Sequence, residues 1–327
     1  MTCRAPLDAA RGPDGQILVY KKYTRPKTLA EGYQALELPC RQCKSCRLEY
    51  SRTWAVRLVH EAAYWEEFHN AYSIFLTLTY DDQHLPFYGE LIKHHAQDFL
   101  KRLRWHSGAQ FRYYMVGEYG SQCPDHQIID CPMCGPIQRP HYHAIIFGWT
   151  PLDKQMLGTR DGESVYSSEI IQKAWDKGSH EFGSCTFESC AYVTRYIMKK
   201  QTGDNQHTVE HYCKYIPHLD VWVDMPPEFA IMSRGQCTGL GGLGKQWYEQ
   251  FKNDLYPSDE TPIPGRGIIG KPPKFYDSMF ELESPEIMAD IKNARRQAMA
   301  ESLVNGPSLE SRAMVEDARL NLYQRKL

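Results

Sequence analysis

The chain has 327 residues, of which 42% are hydrophobic and 24% are charged, and its formal net charge is -2 at pH 7. A chain of this length can bury a sizeable hydrophobic core without help from disulfides. The near-neutral charge excludes a globally basic nucleic-acid-binding protein, so any such function must rest on local basic patches. No apolar run approaches the roughly 18 residues of a membrane span, and the first residues lack the apolar core of a secretory signal. We therefore expect a cytosolic protein.

The N-terminal segment, residues 1–70, has no clear period before residue 38, so it is predicted to be irregular there, with a helix from Cys46 to Asn70. Eleven cysteines in a chain without an export signal indicate metal binding more than a disulfide framework. The run Cys40, Cys43 and Cys46 supplies three thiolates, and Cys3 is the candidate fourth ligand because it has no other evident role. This spacing favours a structural Zn²⁺ and leaves an iron-sulfur cluster open.

The central region, residues 71–203, alternates between strand-like and helix-like patterns. The predicted order is a strand at 74–80, a helix at 91–105, strands at 111–116 and 141–149, a helix at 167–175, a strand at 180–187, and a helix at 190–200 capped by Ser189. This order predicts an α+β fold with an antiparallel sheet of split β-α-β type and helices on one face. Residues 120–138 are a Cys/His-containing insertion at the turn of the second hairpin.

Two further regions follow the central one. Residues 204–284 are predicted to be a C-terminal extension, and residues 285–327 a charged helical tail interrupted at Gly306-Pro307. The glycine-rich stretch 239–245 fits the first seven positions of a phosphate-binding loop, but Gln246 stands where a Ser or Thr would bind Mg²⁺. We therefore predict a flexible turn there.

A pair of histidines on a predicted strand carries the strongest chemical signal. Residues two apart on a strand point to the same face, so His141 and His143 project together. If the strand at 111–116 pairs with them, the hairpin brings Glu118 to the same end of the sheet. Two imidazoles and one carboxylate leave coordination positions open, which suits Mg²⁺ or Mn²⁺ acting as a Lewis acid on a phosphodiester.

The predicted helix after residue 189 carries two tyrosines at helical spacing. Tyr192 and Tyr196 are four residues apart and therefore share a face of that helix. A phenol has a pKa near 10, so attack by its oxygen needs a cation or a base nearby. Lys199 is the candidate for that role or for a phosphate contact.

The insertion at 120–138 contains two half-sites with the spacing of metal knuckles. A Cys-x-x-His pair and a Cys-x-x-Cys pair are separated by four residues, and each pair can donate two ligands to a tetrahedral Zn²⁺. The predicted ligands of this structural zinc are Cys123, His126, Cys131 and Cys134.

These motifs together resemble the HUH endonucleases that initiate rolling-circle replication, and within them the replication initiators of gokushovirus-like microviruses. The resemblance is carried by residues 75–82 (FLTLTYDD), 117–120 (GEYG), 139–143 (RPHYH), 192–196 (YVTRY) with 199–200 (KK), 39–47 (PCRQCKSCR), 232–234 (MSR) and 244–248 (GKQWY). It spans most of residues 39–250 in the family's order. The longer turn between Gly120 and Arg139 departs from the family pattern.

The resemblance implies a role for each matching position. His141, His143 and Glu118 correspond to the metal ligands, and Tyr196 and Tyr192 to the two nucleophiles. One tyrosine would nick the origin strand and hold its 5′-phosphate, and the second would later cut the regenerated origin so that the strand is rejoined as a circle. The residues expected to contact DNA are Arg139, Arg195 and Lys200. The implied partners are single-stranded and replicative-form DNA at the origin and host replication proteins such as helicase and polymerase, in the cytoplasm of a bacterial host.

Two alternative functions remain open from the sequence. A zinc-stabilised DNA-binding regulator without catalysis would use His141 and His143 structurally. A histidine-triad-like nucleotide hydrolase would need a third alternating histidine, and this chain has Ile145 at that position.

Overall fold

The structure is a computed structural model, and it describes residues 3–20, 29–120, 138–160, 162–199, 212–216, 219–235, 239–264 and 267–324. The strands are β1 (Leu7–Arg11), β2 (Ile17–Val19), β3 (Gln34–Leu38), β4 (Ile74–Tyr80), β5 (Arg112–Tyr119), β6 (Pro140–Phe147), β7 (Gln155–Arg160), β8 (Glu163–Ser167), β9 (Gly178–Ser184), β10 (Cys213–Ile216), β11 (Val221–Asp224), β12 (Phe229–Met232), β13 (Thr261–Ile263) and β14 (Gly267–Gly270). The helices are α1 (Lys44–His69), α2 (Lys93–Ser107), α3 (Glu169–Ala174), α4 (Phe187–Lys199), α5 (Lys245–Leu255), α6 (Lys274–Glu283), α7 (Pro285–Asn305) and α8 (Leu309–Gln324).

The chain forms two compact units, one made of residues 1–50 and 289–327 and the other of residues 51–288. In the first unit, β2, β1 and β3 form a three-stranded antiparallel sheet. The prediction of an irregular segment here is wrong. These strands carry no alternating apolar pattern because only Ala9 and Ala10 of the three strands are fully buried.

The second unit is built on a seven-stranded sheet in the order β12-β5-β6-β4-β9-β8-β7. Every neighbouring pair in it is antiparallel. The predicted α+β class with an antiparallel sheet is confirmed. Two parts of the sheet were not predicted: the hairpin β7-β8, and the edge strand β12, which comes from the C-terminal extension.

Helices cover both faces of this sheet, so the prediction of helices on one face is wrong. Alternate residues of β4 separate the two layers: Leu76 and Leu78 belong to a core cluster with α2 and α3, whereas Phe75 packs against a second cluster that contains α1 and α4. The sequence pattern obscured this second layer because the middle of α1 is buried on most sides. The sheet lies on one side of it, and α5 and α6 contact His60 on the other.

The glycine-rich stretch before α5 is fixed by buried side chains, contrary to the predicted flexible turn. Arg112 pairs with Glu61 at 2.8 Å and donates a second hydrogen bond to the carbonyl of Gly241 at 2.6 Å. The other carboxylate oxygen of Glu61 accepts the N–H of Gly244 at 2.6 Å, and Arg57 donates to the carbonyl of Leu243 at 2.9 Å. These bonds secure the start of α5. Among the described residues, no helix combines the length and apolar composition needed to cross a membrane.

Candidate active site

The register of three central strands brings the predicted metal ligands together. On β5 and β6, Glu118 lies opposite His141, and on the other side of β6 the residues Thr77 and Thr79 of β4 lie opposite His143 and His141. All these side chains point to the face covered by α1 and α4. Their ligand atoms lie within 4.8 Å of one another in the group Glu118, His141 and His143.

The carboxylate of Glu118 is the centre of this group. Its Oε1 atom lies 2.6 Å from Nε2 of His141 and 3.1 Å from Nε2 of His143. Glu118 is only 2% exposed and His143 only 4%, whereas His141 is half-buried. Burial raises the pKa of Glu118, but the hydrogen bonds and charges of the two imidazoles outweigh it and leave that pKa lowered. The carboxylate is therefore ionised at neutral pH.

Both imidazoles are oriented through their other ring nitrogen. Nδ1 of His141 lies 3.2 Å from the carbonyl oxygen of Arg139, and since a carbonyl can only accept, this nitrogen carries the proton. Nδ1 of His143 lies 3.0 Å from the hydroxyl of Thr77, and the Phe75 ring stacks on the imidazole at 5.6 Å. In neutral His141 the lone pair is therefore on Nε2, facing Glu118. Such anchoring of the second nitrogen is typical of histidines that bind metals.

This arrangement fits a divalent cation. With Nδ1 of His141 protonated, a neutral imidazole places a second acceptor 2.6 Å from a carboxylate oxygen. Two acceptors at that separation repel each other unless a proton or a cation lies between them. Two imidazole nitrogens and one carboxylate oxygen on one face leave further coordination positions open, as catalytic metal sites require.

Arg139 was predicted as a DNA contact, and the structure gives its guanidinium protein partners. It donates to the carbonyl of Tyr80 at 2.8 Å and pairs with Asp82 at 2.7 Å. These contacts fix the backbone whose carbonyl holds His141. Thr77 and Arg139 thus orient the two ligands, a role that sequence reasoning missed. The signal was available, because Thr77 and Thr79 are two apart in the FLTLT strand and must share one face.

Helix α4 places Tyr192 against the metal-ligand group. Its ring lies 5.2 Å from the ring of His143 and 5.9 Å from that of Phe75, edge-on in both cases. The helix is held there because Cys190 and Val193 are fully buried in the cluster on this face. Arg195 is half-buried on the same helix.

Tyr196 and Lys199 also belong to α4, but their side chains lie outside the described residues, as does all of Lys200. Because Tyr196 follows Tyr192 by four residues, the helix backbone places both on one face. The predicted start of this helix is corrected. Ser189 N donates to the Thr186 hydroxyl at 3.2 Å and Thr186 N to the Ser189 hydroxyl at 2.8 Å, so Thr186 is the cap and the helix begins at Phe187.

A second candidate metal group lies in the first unit. Cys3, Cys40, Cys43 and Cys46 place their sulfur atoms within 4.8 Å of one another, with Cys3 3.5 Å from Cys40. Cys3 thus occupies the position of the fourth ligand. Backbone N–H groups point at the sulfurs: that of Cys40 at Cys3, at 3.3 Å, and that of Cys43 at Cys40, also at 3.3 Å.

Electrostatics at this group favour one thiolate. Burial raises the pKa of Cys43, but the N–H groups of Arg4 and Cys46 lower it more, and the result is a pKa of about 7. Four sulfurs at these separations fit a tetrahedral ion of the zinc type. The other predicted zinc ligands, Cys123, His126, Cys131 and Cys134, lie outside the described residues.

Comparison with known proteins places this fold in a family. A family model described as replication-associated protein ORF2 matches residues 73–201, which run from β4 through α4. A replication-associated protein ORF4 of Chlamydia phage 1 is 32% identical over 89% of this chain and 68% of its own length. The chain belongs to the family of phage replication-associated proteins.

Two other members of the family cover more of their own length. The replication-associated protein VP4 of Bdellovibrio phage phiMH2K is 29% identical over 88% of this chain and 79% of its own. The replication-associated protein ORF2 of Spiroplasma virus 4 is 27% identical over 97% and 92%. No solved structure matches significantly. The resemblance to microvirus-type rolling-circle initiators is confirmed, and this replication-associated protein carries Glu118, His141, His143 and Tyr192 inside the matched region.

Proposed function

We propose that this replication-associated protein is a metal-dependent nickase and strand-transfer enzyme of the HUH type that initiates rolling-circle replication. The observation that carries the proposal is the position of Tyr192, whose ring contacts His143 of the Glu118, His141 and His143 group. The fold proposed with it is the ferredoxin-like or RRM-like core of such enzymes, within residues 71–203. A nucleophile beside a cation site on one sheet face is what phosphodiester cleavage requires.

The cation proposed for this group is Mg²⁺ or Mn²⁺. Held by Glu118, His141 and His143, it would supply Lewis-acid polarisation of the scissile phosphate and an orientation for the strand. The protein's part is to fix the two imidazoles through Thr77 and the Arg139 carbonyl and to hold the carboxylate ionised.

In the proposed reaction the phenol oxygen of Tyr196 or Tyr192 attacks phosphorus at the origin. The new bond joins tyrosine Oη to phosphorus, the P–O3′ bond breaks, and the phenol proton balances the departing 3′ oxygen as a free 3′-OH. Lys199 is proposed to favour the phenolate or to contact the phosphate. In the reverse step a 3′-OH attacks the phosphotyrosine, which regenerates a phosphodiester and the phenol, so no ATP is needed.

The cysteine groups are proposed to be structural. Zn²⁺ is assigned to Cys3, Cys40, Cys43 and Cys46, and a second Zn²⁺ to the insertion. The proposed partners are origin DNA, contacted through Arg139, Arg195 and Lys200, and the host helicase and polymerase, in the cytoplasm of the bacterial host.

A strand-cleavage assay tests this function. A 5′-labelled and a 3′-labelled origin oligonucleotide are incubated with the protein and Mg²⁺ or Mn²⁺. A covalent adduct with the fragment downstream of the nick and a free 3′-OH on the upstream fragment are expected. A Tyr192→Phe, Tyr196→Phe double variant should bind the DNA and form no adduct. An adduct formed by this variant overturns the nucleophile assignment, and metal-independent binding without cleavage by the native protein favours the non-catalytic regulator.

A further inference from the structure

The residues between the cysteines of the first unit form a cationic binding site. Arg4 follows Cys3 directly, and Lys44 and Ser45 lie between Cys43 and Cys46. These three side chains all donate to the same region of α8. The sequence separates Arg4 from the other two by about 40 residues, so the cysteine group is what brings them together.

The ligand of this site is a pair of carboxylates on the C-terminal helix. Arg4 donates two parallel bonds to Asp317, at 2.8 Å from Nη1 and 3.0 Å from Nη2, and a further bond from Nη2 to Glu316 at 2.8 Å. Lys44 pairs with the same Asp317 at 2.9 Å, and the Ser45 hydroxyl donates to Glu316. Bidentate pairing of a guanidinium with a carboxylate is the strongest of the common ion-pair geometries.

The electrostatics agree with this geometry. Hydrogen bonds from Arg4 and Lys44 lower the pKa of Asp317 to about 2. The same carboxylates raise the pKa of Arg4. A single exposed ion pair contributes little to stability, but several charge-assisted bonds that converge on one helical turn act together.

The cysteine group and the cationic site share backbone atoms. The N–H of Arg4 points at Sγ of Cys43 at 3.4 Å, and the Arg4 side chain donates to the Ser45 hydroxyl at 3.0 Å. The arginine is thus fixed at both ends by residues next to the cysteines. If the cysteines separate, Arg4 leaves Lys44 and Ser45, and the site loses its shape.

We propose that the Cys3, Cys40, Cys43 and Cys46 group is a metal-dependent latch that holds helix α8 through Glu316 and Asp317. Metal binding keeps the three cationic and hydroxyl donors in place, and loss of the metal releases the helix. This inference rests on the structural Zn²⁺ proposed for these cysteines and is independent of the nicking reaction.

Hydrogen exchange measured by mass spectrometry on the full-length protein tests the latch, with zinc content determined on the same samples. In the zinc-loaded protein, Arg4→Gln should raise amide exchange in residues 309–324 by about tenfold or more while the zinc content stays unchanged. Glu310→Gln, an exposed carboxylate change on the same helix, is the matched control and should leave exchange unchanged. Cys40→Ser should lower the zinc content and raise exchange as Arg4→Gln does.

A charge swap removes the ambiguity of a misfolded variant. Arg4→Asp combined with Asp317→Arg should restore much of the protection that either single change removes. Unchanged exchange in residues 309–324 in both Arg4→Gln and Cys40→Ser overturns the latch. If the native protein holds no metal at these cysteines, the metal dependence is overturned, and Arg4→Gln alone decides whether the carboxylate site holds the helix.

Discussion

Replacing Thr77 with valine should weaken metal binding without unfolding the protein. Valine keeps the β-branched shape that suits the middle of a strand, but it removes the hydroxyl that lies 3.0 Å from Nδ1 of His143. His143 is 4% exposed, so water cannot easily replace the lost partner. The imidazole then loses the contact that fixes its orientation and directs the Nε2 lone pair at the cation.

The magnitude follows from the role of such contacts. Removing the hydrogen-bond partner of a metal-bound histidine typically costs about 10- to 100-fold in affinity, which corresponds to roughly 1.4–2.7 kcal/mol. The effect should stay in this range because Phe75 still stacks on the ring and Tyr192 still contacts its edge.

Isothermal titration with Mn²⁺ measures this effect apart from activity. Thr77→Val should show a Kd raised by about 10- to 100-fold, and Thr77→Ser, which keeps the hydroxyl, should stay near the native value. Thermal unfolding of both variants without metal should match the native protein. An unchanged Mn²⁺ Kd in Thr77→Val, with the fold intact, would refute the assignment of Thr77 as the residue that orients His143.

Three further predictions concern other parts of the structure. Glu118→Gln removes the one charged ligand, so titration should detect no Mn²⁺ binding and the origin adduct should not form, while DNA binding persists; adduct formation at the native rate contradicts this. Arg112→Met leaves the Glu61 carboxylate buried without its cation, and urea unfolding should show a loss of about 3–5 kcal/mol; a loss below about 1 kcal/mol would show that Glu61 does not depend on this pair. Burial lowers the pKa of His60 to about 3, below its unfolded value of about 6.5, so the unfolded state takes up the proton first and stability falls by about 1.4 kcal/mol per pH unit as pH drops through that window. His60→Gln, compared with the native protein by urea unfolding at pH 7 and pH 5, should lack this component, and an equal loss in both proteins would contradict it.

The central strands and the ligand group could be predicted because their signals are local. The β4 sequence is apolar at alternate positions, and a hairpin between β5 and β6 necessarily brings Glu118 close to His141. Cys3 could be chosen as a candidate only by elimination, and the structure supplies the proximity that the sequence lacks.

The remaining features depend on contacts between residues far apart in the chain. Strand β12 adds to β5 more than 100 residues away in sequence, with Ala230 opposite Val116, and its four residues carry no strong pattern of their own. The helices on the second face were missed because α1 is covered by the C-terminal extension as well as by the sheet. The anchoring of His143 by Thr77 likewise depends on the register between β4 and β6.

Mapping the covalent adduct tests the central claim most directly. The native protein is incubated with origin single-stranded DNA and Mg²⁺ or Mn²⁺, the adduct is digested, and the modified peptide is sequenced by mass spectrometry. We expect a 5′-phosphotyrosine on Tyr192 or Tyr196 of helix α4, absent in the Glu118→Gln variant. An adduct on a residue outside this helix, or one that forms equally well without a divalent cation, would contradict the proposed mechanism.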